Sequence, residues 1–455
     1  MHTDSSRAGG SPTRRDFLRM ASAATSAAFG IPWLVPGSVL GASAPSNRIT
    51  LGLIGSGNQG ACDLKRGWFL QGDVQVVAVC DVNTASDGYL PGQYLGRKPV
   101  QEMVNKHYAK KTPSGQYKGC DAYKDFRELL ARDDIDAVAI VTPDQWHGVM
   151  TVMAAAAGKD IYCQKPLSLT IRQGQEMIKA VRKHDCILQT GSQFRSDAKI
   201  RYACELVRNG RIGQLKRITT FVAPNNYFGP GPGWKPMPVP DGFDYDMWLG
   251  PAPEAPYHKD RCFYRFRFIL DYSGGQTTNF GAHSNDIAQL GHADNPGPVE
   301  IEDLGAEWPP KGDLFTTALK VHFRARYADG VELTCITKEP RMGARFEGTE
   351  GWVQCGWGGL KTQPESLKTS KIGPDEIHLP KSPGHYRNFV DAVKAHKDPI
   401  APVEIGHRTA SLCHLGNIAM RLGRKVKWDP QKERFVDDNE ANSMLSRPLR
   451  APWHL

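Results

Sequence analysis

The stretch Gly55-Ser56-Gly57-Asn58-Gln59-Gly60 limits what this chain can fold into more than any other. It follows the short apolar run Ile49-Thr50-Leu51-Gly52-Leu53-Ile54, which predicts a buried strand, and it opens a helical stretch. A second apolar run, Val74 to Cys80, ends at Asp81, which lies 21 positions after Gly60. Glycines at these places let the backbone turn tightly and approach a pyrophosphate, which the helix N-terminus then stabilises. Asp81 is placed to accept hydrogen bonds from ribose hydroxyls, and its charge repels a 2′-phosphate. The pattern therefore predicts NAD rather than NADP. Gly55, Gly57, Asn58, Gln59, Gly60 and Asp81 are candidate cofactor-binding residues.

Strands and helices then alternate. Phe126–Leu130 reads as a short helix, Asp136–Thr142 as a buried strand closed by Pro143, and about 148–158 as an Ala-rich helix. Asp160–Cys163 is another strand, running into Gln164-Lys165-Pro166. Thr170 with Gln173 makes a capping box for a helix to about His184, and Ile187–Thr190 is the last strand. Residues 90–122, rich in Gly, Pro and Lys, read as a surface excursion. The alternation predicts a parallel, doubly wound sheet over residues 45–194, with ligands at the C-terminal strand ends. Thr142, Pro143, Trp146, His147, Gln164, Lys165 and Gln193 all fall at or just after such ends. His147 either touches the cofactor or caps its helix, and Trp146 is expected in the pocket wall.

Residues 195–455 have a different texture. A helix at about 198–209 precedes the alternating strand Leu215–Val222 and a long loop rich in Pro, Gly and aromatics. Strands follow at Lys320–Tyr327, Val331–Ile336, Ala344–Glu347 and Gly351–Gln354, then helices at about 384–396 and 405–422. An open, mainly antiparallel sheet with helices on one face is expected, and its other face favours a homo-oligomer. Tyr264-Arg265-Phe266-Arg267-Phe268 alternates aromatic and cationic residues. As a strand it would set the rings on one face, either as a sugar platform or simply as a half-buried strand.

Residues 13–19 read Thr-Arg-Arg-Asp-Phe-Leu-Arg, followed by a weakly apolar, Ala-rich stretch and Ala42-Ser43-Ala44. This matches a twin-arginine export signal over residues 1–44, implying passage of a folded protein through the twin-arginine translocase into the periplasm. Pro32 and Pro36 make the stretch a poor membrane span. The net charge of +9 is spread thinly, with no Lys/Arg block, which argues against nucleic-acid binding. The 10 cysteines include no C-x-x-C pair and are expected as buried free thiols. No metal is expected, because the 14 histidines show no zinc-ligand spacing.

Lys165, presented rigidly beside Pro166, suits a general base. Oxidising a carbinol needs a group for the hydroxyl proton, and a neighbouring cationic nicotinamide disfavours the ammonium form. His283 lies four residues after Asn279, so on one helix both share a face. With Gly55–Gly60, Asp81, Thr142-Pro143…Trp146-His147, Lys165-Pro166 and Gly274-Gly275…Asn279-x-Gly281-x-His283-x-x-Asp286, nearly all of the chain after residue 44 resembles the glucose–fructose oxidoreductase/inositol dehydrogenase (Gfo/Idh/MocA) family. The resemblance implies a Rossmann domain, an open mixed sheet, and oxidoreduction of sugars or polyols, with Lys165 and His283 working beside the nicotinamide. Gln193, Arg195 and Asp286 are candidate substrate contacts, and Asn279 a candidate catalytic residue.

Two positions depart from the family pattern. Gln164 stands where Glu is usual, and Asn279 where Asp is usual, so a Lys/Asp/His relay lacks its carboxylate. A periplasmic enzyme without a free NAD pool is expected to retain its cofactor and cycle it internally, oxidising one sugar and reducing another. The alternative is glycoside cleavage through transient C3 oxidation and elimination, as in NAD-dependent glycosidases of the same family.

Overall fold

The computed structural model describes residues 47–292 and 295–455. The export signal expected over residues 1–44 lies outside the described residues. The first sheet contains β1 (Ile49–Ile54), β2 (Val74–Cys80), β3 (Asp121–Tyr123), β4 (Ala137–Ile140), β5 (Asp160–Cys163) and β6 (Leu188–Thr190). All are parallel, in the order β3-β2-β1-β4-β5-β6. The order reverses between β1 and β4, opening a crevice at their C-terminal ends.

These strands are apolar runs because both their faces are covered. One set of alternate residues, including Ile54, Ala78, Val138 and Ile161, packs on α3 (Phe126–Leu130), α4 (Asp144–Ala156) and α5 (Ile171–Lys183). The other set, including Leu53, Val76, Ala139 and Tyr162, packs on α1 (Asn58–Arg66) and α2 (Arg97–Ala109). Thr170 caps α5 as expected, its Oγ1 accepting from Gln173 N at 3.2 Å. The Gln173 side chain accepts from Leu169 N at 3.1 Å, so the box closes one residue early.

Two expectations are corrected here. Residues 90–122 are not only surface excursion, because α2 buries Val100, Val104 and Tyr108, spaced four apart, in the core. The helix after β4 starts at Asp144 rather than about 148, which puts Trp146 and His147 within its first turn.

After α6 (Ala198–Arg208) comes β7 (Leu215–Val222), a loop with α7 (Tyr245–Leu249), then α8 (Gln276–Asn279) and α9 (Gly281–Gly291). The remaining strands are β8 (Pro298–Asp303), β9 (His322–Tyr327), β10 (Glu332–Thr337), β11 (Met342–Gly348), β12 (Trp352–Gly356) and β13 (Lys361–Gln363). The helices α10 (His385–Ala395) and α11 (Val403–Leu422), strands β14 (Val426–Asp429) and β15 (Arg434–Phe435), and α12 (Asn439–Ser443) complete the chain. The second sheet has nine strands, ordered β13-β12-β11-β7-β10-β9-β8-β14-β15. Its pairings are antiparallel except β7 with β10, so the sheet is mixed. Helices α6, α9 and α11 cover one face, and β9 alternates buried and less buried residues accordingly.

The segment read as a possible aromatic strand is a 3₁₀ turn, Arg265–Phe268. Phe266 and Phe268 are buried in an aromatic cluster with Phe243, Trp248, Tyr257, Tyr272 and Phe315. Apart from Phe315, which lies between β8 and β9, these residues belong to the connection between β7 and α8. It is tied to α4 where Gln145 Nε2 and Trp146 Nε1 each donate to the Trp248 carbonyl at 3.1 Å.

Candidate active site

A cavity of about 380 Å³ opens at the crevice where the strand order reverses. Gly55, Gly57, Asn58, Gln59, Asp81, Thr142, Pro143, Trp146, Gln164, Lys165 and Asn279, all singled out from the sequence, line it. Gly60, His147, Gln193, Arg195, His283 and Asp286 do not.

The glycine loop fits a dinucleotide. Gly55 has φ +103°, and a Cβ there would stand 2.3 Å from the Val141 carbonyl oxygen. At Gly60 a Cβ would meet the Gly55 oxygen at 2.0 Å, so only glycine lets α1 pack against the turn. No side chain caps the N-terminus of α1, leaving its first turn to an anion. Asp81 accepts from Ser56 N at 2.7 Å and Asn83 N at 2.8 Å, one on each oxygen. Burial raises its pKa to about 6 against those two donors and Arg97. Each oxygen keeps a lone pair that can accept a ribose hydroxyl.

Lys165 stands at the other end. Its Nζ donates to Asn279 Oδ1 at 2.8 Å and to the Asn279 backbone oxygen at 3.2 Å. Burial, then the charge of Arg267, lower its pKa to about 8, against the pull of Asp144 and Asp63. Asn279 Nδ2 donates to Gln276 Oε1 at 2.9 Å, and Gln276 Nε2 to the Pro224 carbonyl at 2.9 Å.

His283 follows Asn279 across a junction at Phe280, on α9 rather than on the same helix. Its Nδ1 is buried without a partner, and its ring lies 5.4 Å from that of Phe194. Burial, then the charges of Lys165 and His385, hold its pKa well below the usual histidine value. The imidazole is therefore neutral beside Lys165.

His147 faces inward. Its Nδ1 lies 2.7 Å from the Pro166 carbonyl and its Nε2 3.0 Å from the Thr142 carbonyl. Both partners only accept, so both ring nitrogens carry protons. Burial alone would lower its pKa, but Cys163, Asp144 and the Pro166 carbonyl raise it to about 9. The ring clamps the two strand-end loops that present Thr142 and Lys165, and no side chain caps the start of α4, so His147 bridges two loops rather than capping its helix.

Arg195 and Asp286, expected at the substrate, pair with each other at 2.7 Å with 8% and 1% of their side chains exposed. Thr409 Oγ1 also donates to Asp286 at 3.0 Å. Gln193 Nε2 donates to Tyr162 OH at 3.1 Å.

Sequence reasoning missed two carboxylates. Asp63 on α1 accepts from Gln59 at 2.6 Å, Gln164 at 2.8 Å and Tyr386 at 2.8 Å. Burial raises its pKa to about 6 despite these donors. A negative charge thus stands one layer behind the neutral Gln164, and its spacing of four from Gln59 on a helix was a readable signal. Asp144, inside the quoted Thr142–His147 stretch, begins α4 in the cavity wall and accepts from Ser273 Oγ at 2.6 Å. Burial raises its pKa, offset by His147, Ser273 and Lys165.

Residues 49–192 match the family description "Oxidoreductase family, NAD-binding Rossmann fold". Residues 213–455, more than half of the chain, match "Oxidoreductase family, C-terminal alpha/beta domain" of the same family. The chain belongs to the Gfo/Idh/MocA oxidoreductase family. It carries the NAD-binding domain of that family, and the sugar oxidoreductases within it are its relatives. A 1,5-anhydro-D-fructose reductase of Ensifer adhaerens is 25% identical over 288 residues, 61% of this chain and 75% of that protein. A glycosyl hydrolase family 109 protein of Shewanella sp. (strain MR-4) is 29% identical over 181 residues, 39% of this chain and 36% of that protein. The solved aldose-aldose oxidoreductase of Caulobacter crescentus superposes with a TM-score of 0.58 at 18% identity, covering 84% of this chain and 99% of that one. The chain covers only 29% and 36% of the length of the first two curated relatives it matches.

Proposed function

We propose that this protein is an exported NAD-dependent oxidoreductase of a sugar or polyol that retains its cofactor between turnovers. The observation that carries this reading is the meeting, in one cavity, of the glycine cradle with the Lys165–Asn279 pair. NAD, when bound, supplies a hydride acceptor for a carbinol carbon and a hydride donor for a carbonyl. Gly55, Gly57, Asn58, Gln59 and the N-terminus of α1 would hold its pyrophosphate, and Asp81 its ribose, with Thr142, Pro143 and Gln164 along its path.

Lys165, with a pKa of about 8, takes the substrate hydroxyl proton. Asn279 orients its Nζ without adding a charge. Neutral His283 lies behind the cavity lining, where it adds no charge beside Lys165, and Trp146 walls the sugar. The arginine pair and small-residue site in residues 1–44 support periplasmic export through the twin-arginine translocase, and the lack of free NAD there supports an internal redox cycle. The uncovered face of the nine-stranded sheet supports a homo-oligomer.

Protein purified from the periplasm should release NAD, with little NADP, when denatured, and Asp81→Ala should weaken retention. Protein free of nucleotide that binds none on titration would sink this reading. Glycoside cleavage is the second reading, favoured by the family 109 relative and by the uncharged Asn279. It predicts released aglycone with no net change in sugar oxidation state.

A further inference from the structure

Arg267 lines this cavity with Lys165, Asp144, Ser273 and Asn279. Its neighbour Arg265 is paired with Asp260, and Lys124, also at the cavity, with Asp244. Arg267 instead donates to the Tyr264 carbonyl, and its Nε is buried with no partner. Among the described residues no carboxylate stands at ion-pair distance from Arg267 or Lys165. The guanidinium lies 3.9 Å from the centre of the Tyr264 ring and 4.9 Å from that of Phe266, which fixes the plane of its fork.

Charge at this end is unbalanced. Lys165 and Arg267 face the cavity and the doubly protonated His147 lies directly behind, against Asp144 in the wall and Asp63 behind Gln164. An oxidised nicotinamide would add another positive charge. A partly buried guanidinium with an unfilled Nε donor is costly until an anion arrives, and a planar carboxylate matches a guanidinium edge with two parallel bonds.

We propose that Arg267 is a specificity residue for a carboxylate, so that the substrate of this site is an acidic monosaccharide such as a uronate. The inference rests on the oxidoreductase reading above. Tyr264 and Phe266 also line the cavity, so its wall beside the guanidinium is partly apolar.

The test is calorimetric titration of the full NADH-loaded protein with D-glucuronate and D-galacturonate, each against its neutral methyl ester. At least one acid should bind roughly tenfold to hundredfold tighter than its ester, the weight of a charge-assisted pair. Arg267→Gln should abolish that ratio, with NADH affinity kept within about twofold, and Arg267→Lys should restore part of it. Thermal melting of both variants checks their fold. If no acid outbinds its ester, or Arg267→Gln leaves the ratio intact or lowers NADH affinity instead, the carboxylate assignment is overturned while the oxidoreductase reading stands. Protein that binds no NADH at all overturns both.

Discussion

Lys165 Nζ and Asn279 Oδ1 are 2.8 Å apart, and the amide between them can point only one way. The Pro224 carbonyl only accepts, so Gln276 must donate to it with Nε2. Gln276 Oε1 must then accept from Asn279 Nδ2, and Oδ1 is left for the lysine. Lys165 is held by an oriented neutral acceptor, and burial keeps its pKa at about 8.

Asn279→Asp should change the pH profile. The base must be neutral to act, so wild-type kcat/KM should rise with pH and level off above about 8. A carboxylate at 279 favours the ammonium form and should move that limb up by about 1–3 pH units. An unmoved limb in the variant would show that Lys165 is not the titrating base.

Lys165→Ala should keep the fold and nucleotide binding but lower turnover by about 10²–10⁴. His283→Ala should lower it too, and the double variant should lose less than the product of the two, as residues serving one step do. Single-turnover kinetics with each variant provide the check.

Removing Arg195 or Asp286 tests a structural role against substrate contact. Their pair is 8% and 1% exposed, so either alanine variant strands a buried charge. Each should destabilise the protein by about 3–5 kcal/mol by denaturant unfolding. Full stability with raised KM would return both to the substrate.

Gln164→Glu would put a second carboxylate where Gln164 Nε2 now lies 2.8 Å from Asp63. Asp63 already titrates at about 6, above its unfolded value of 3.8. A carboxyl raised in this way favours the fold fully below its unfolded value, and that benefit is lost as pH rises through the folded value. The variant should therefore melt close to wild type near pH ~4 and progressively lower above pH ~6. Equal melting temperatures across that range would remove the Asp63–Gln164 contact from the account.

Replacing Arg14 and Arg15 by Lys should leave folded precursor in the cytoplasm, visible on fractionation. Normal export of that variant would refute the twin-arginine assignment.

Much of this was legible because local spacing encodes it. Gly55–Gly60, Asp81 and Lys165 each sit beside a strand that hydrophobicity marks, and strand ends converge by topology alone. Asp144 was hidden because its partner Ser273 is 129 residues away. The helix Arg97–Ala109 was hidden by Gly- and Pro-rich flanks around a sound four-residue period. The alternation at 264–268 misled because a 3₁₀ turn can also bury Phe266 and Phe268 while leaving the arginines less buried. Arg195 and Asp286 were not seen as a pair because they are 91 residues apart, and a charged residue looks alike in sequence whether it meets a ligand or another residue.

Redox chemistry on a sugar is read out by mass spectrometry of a panel of free sugars and glycosides after incubation with the purified protein. One sugar should become lighter by two hydrogen atoms and another heavier by two, both dependent on Lys165. A panel whose masses are all unchanged, or changed only by glycoside hydrolysis, would contradict it.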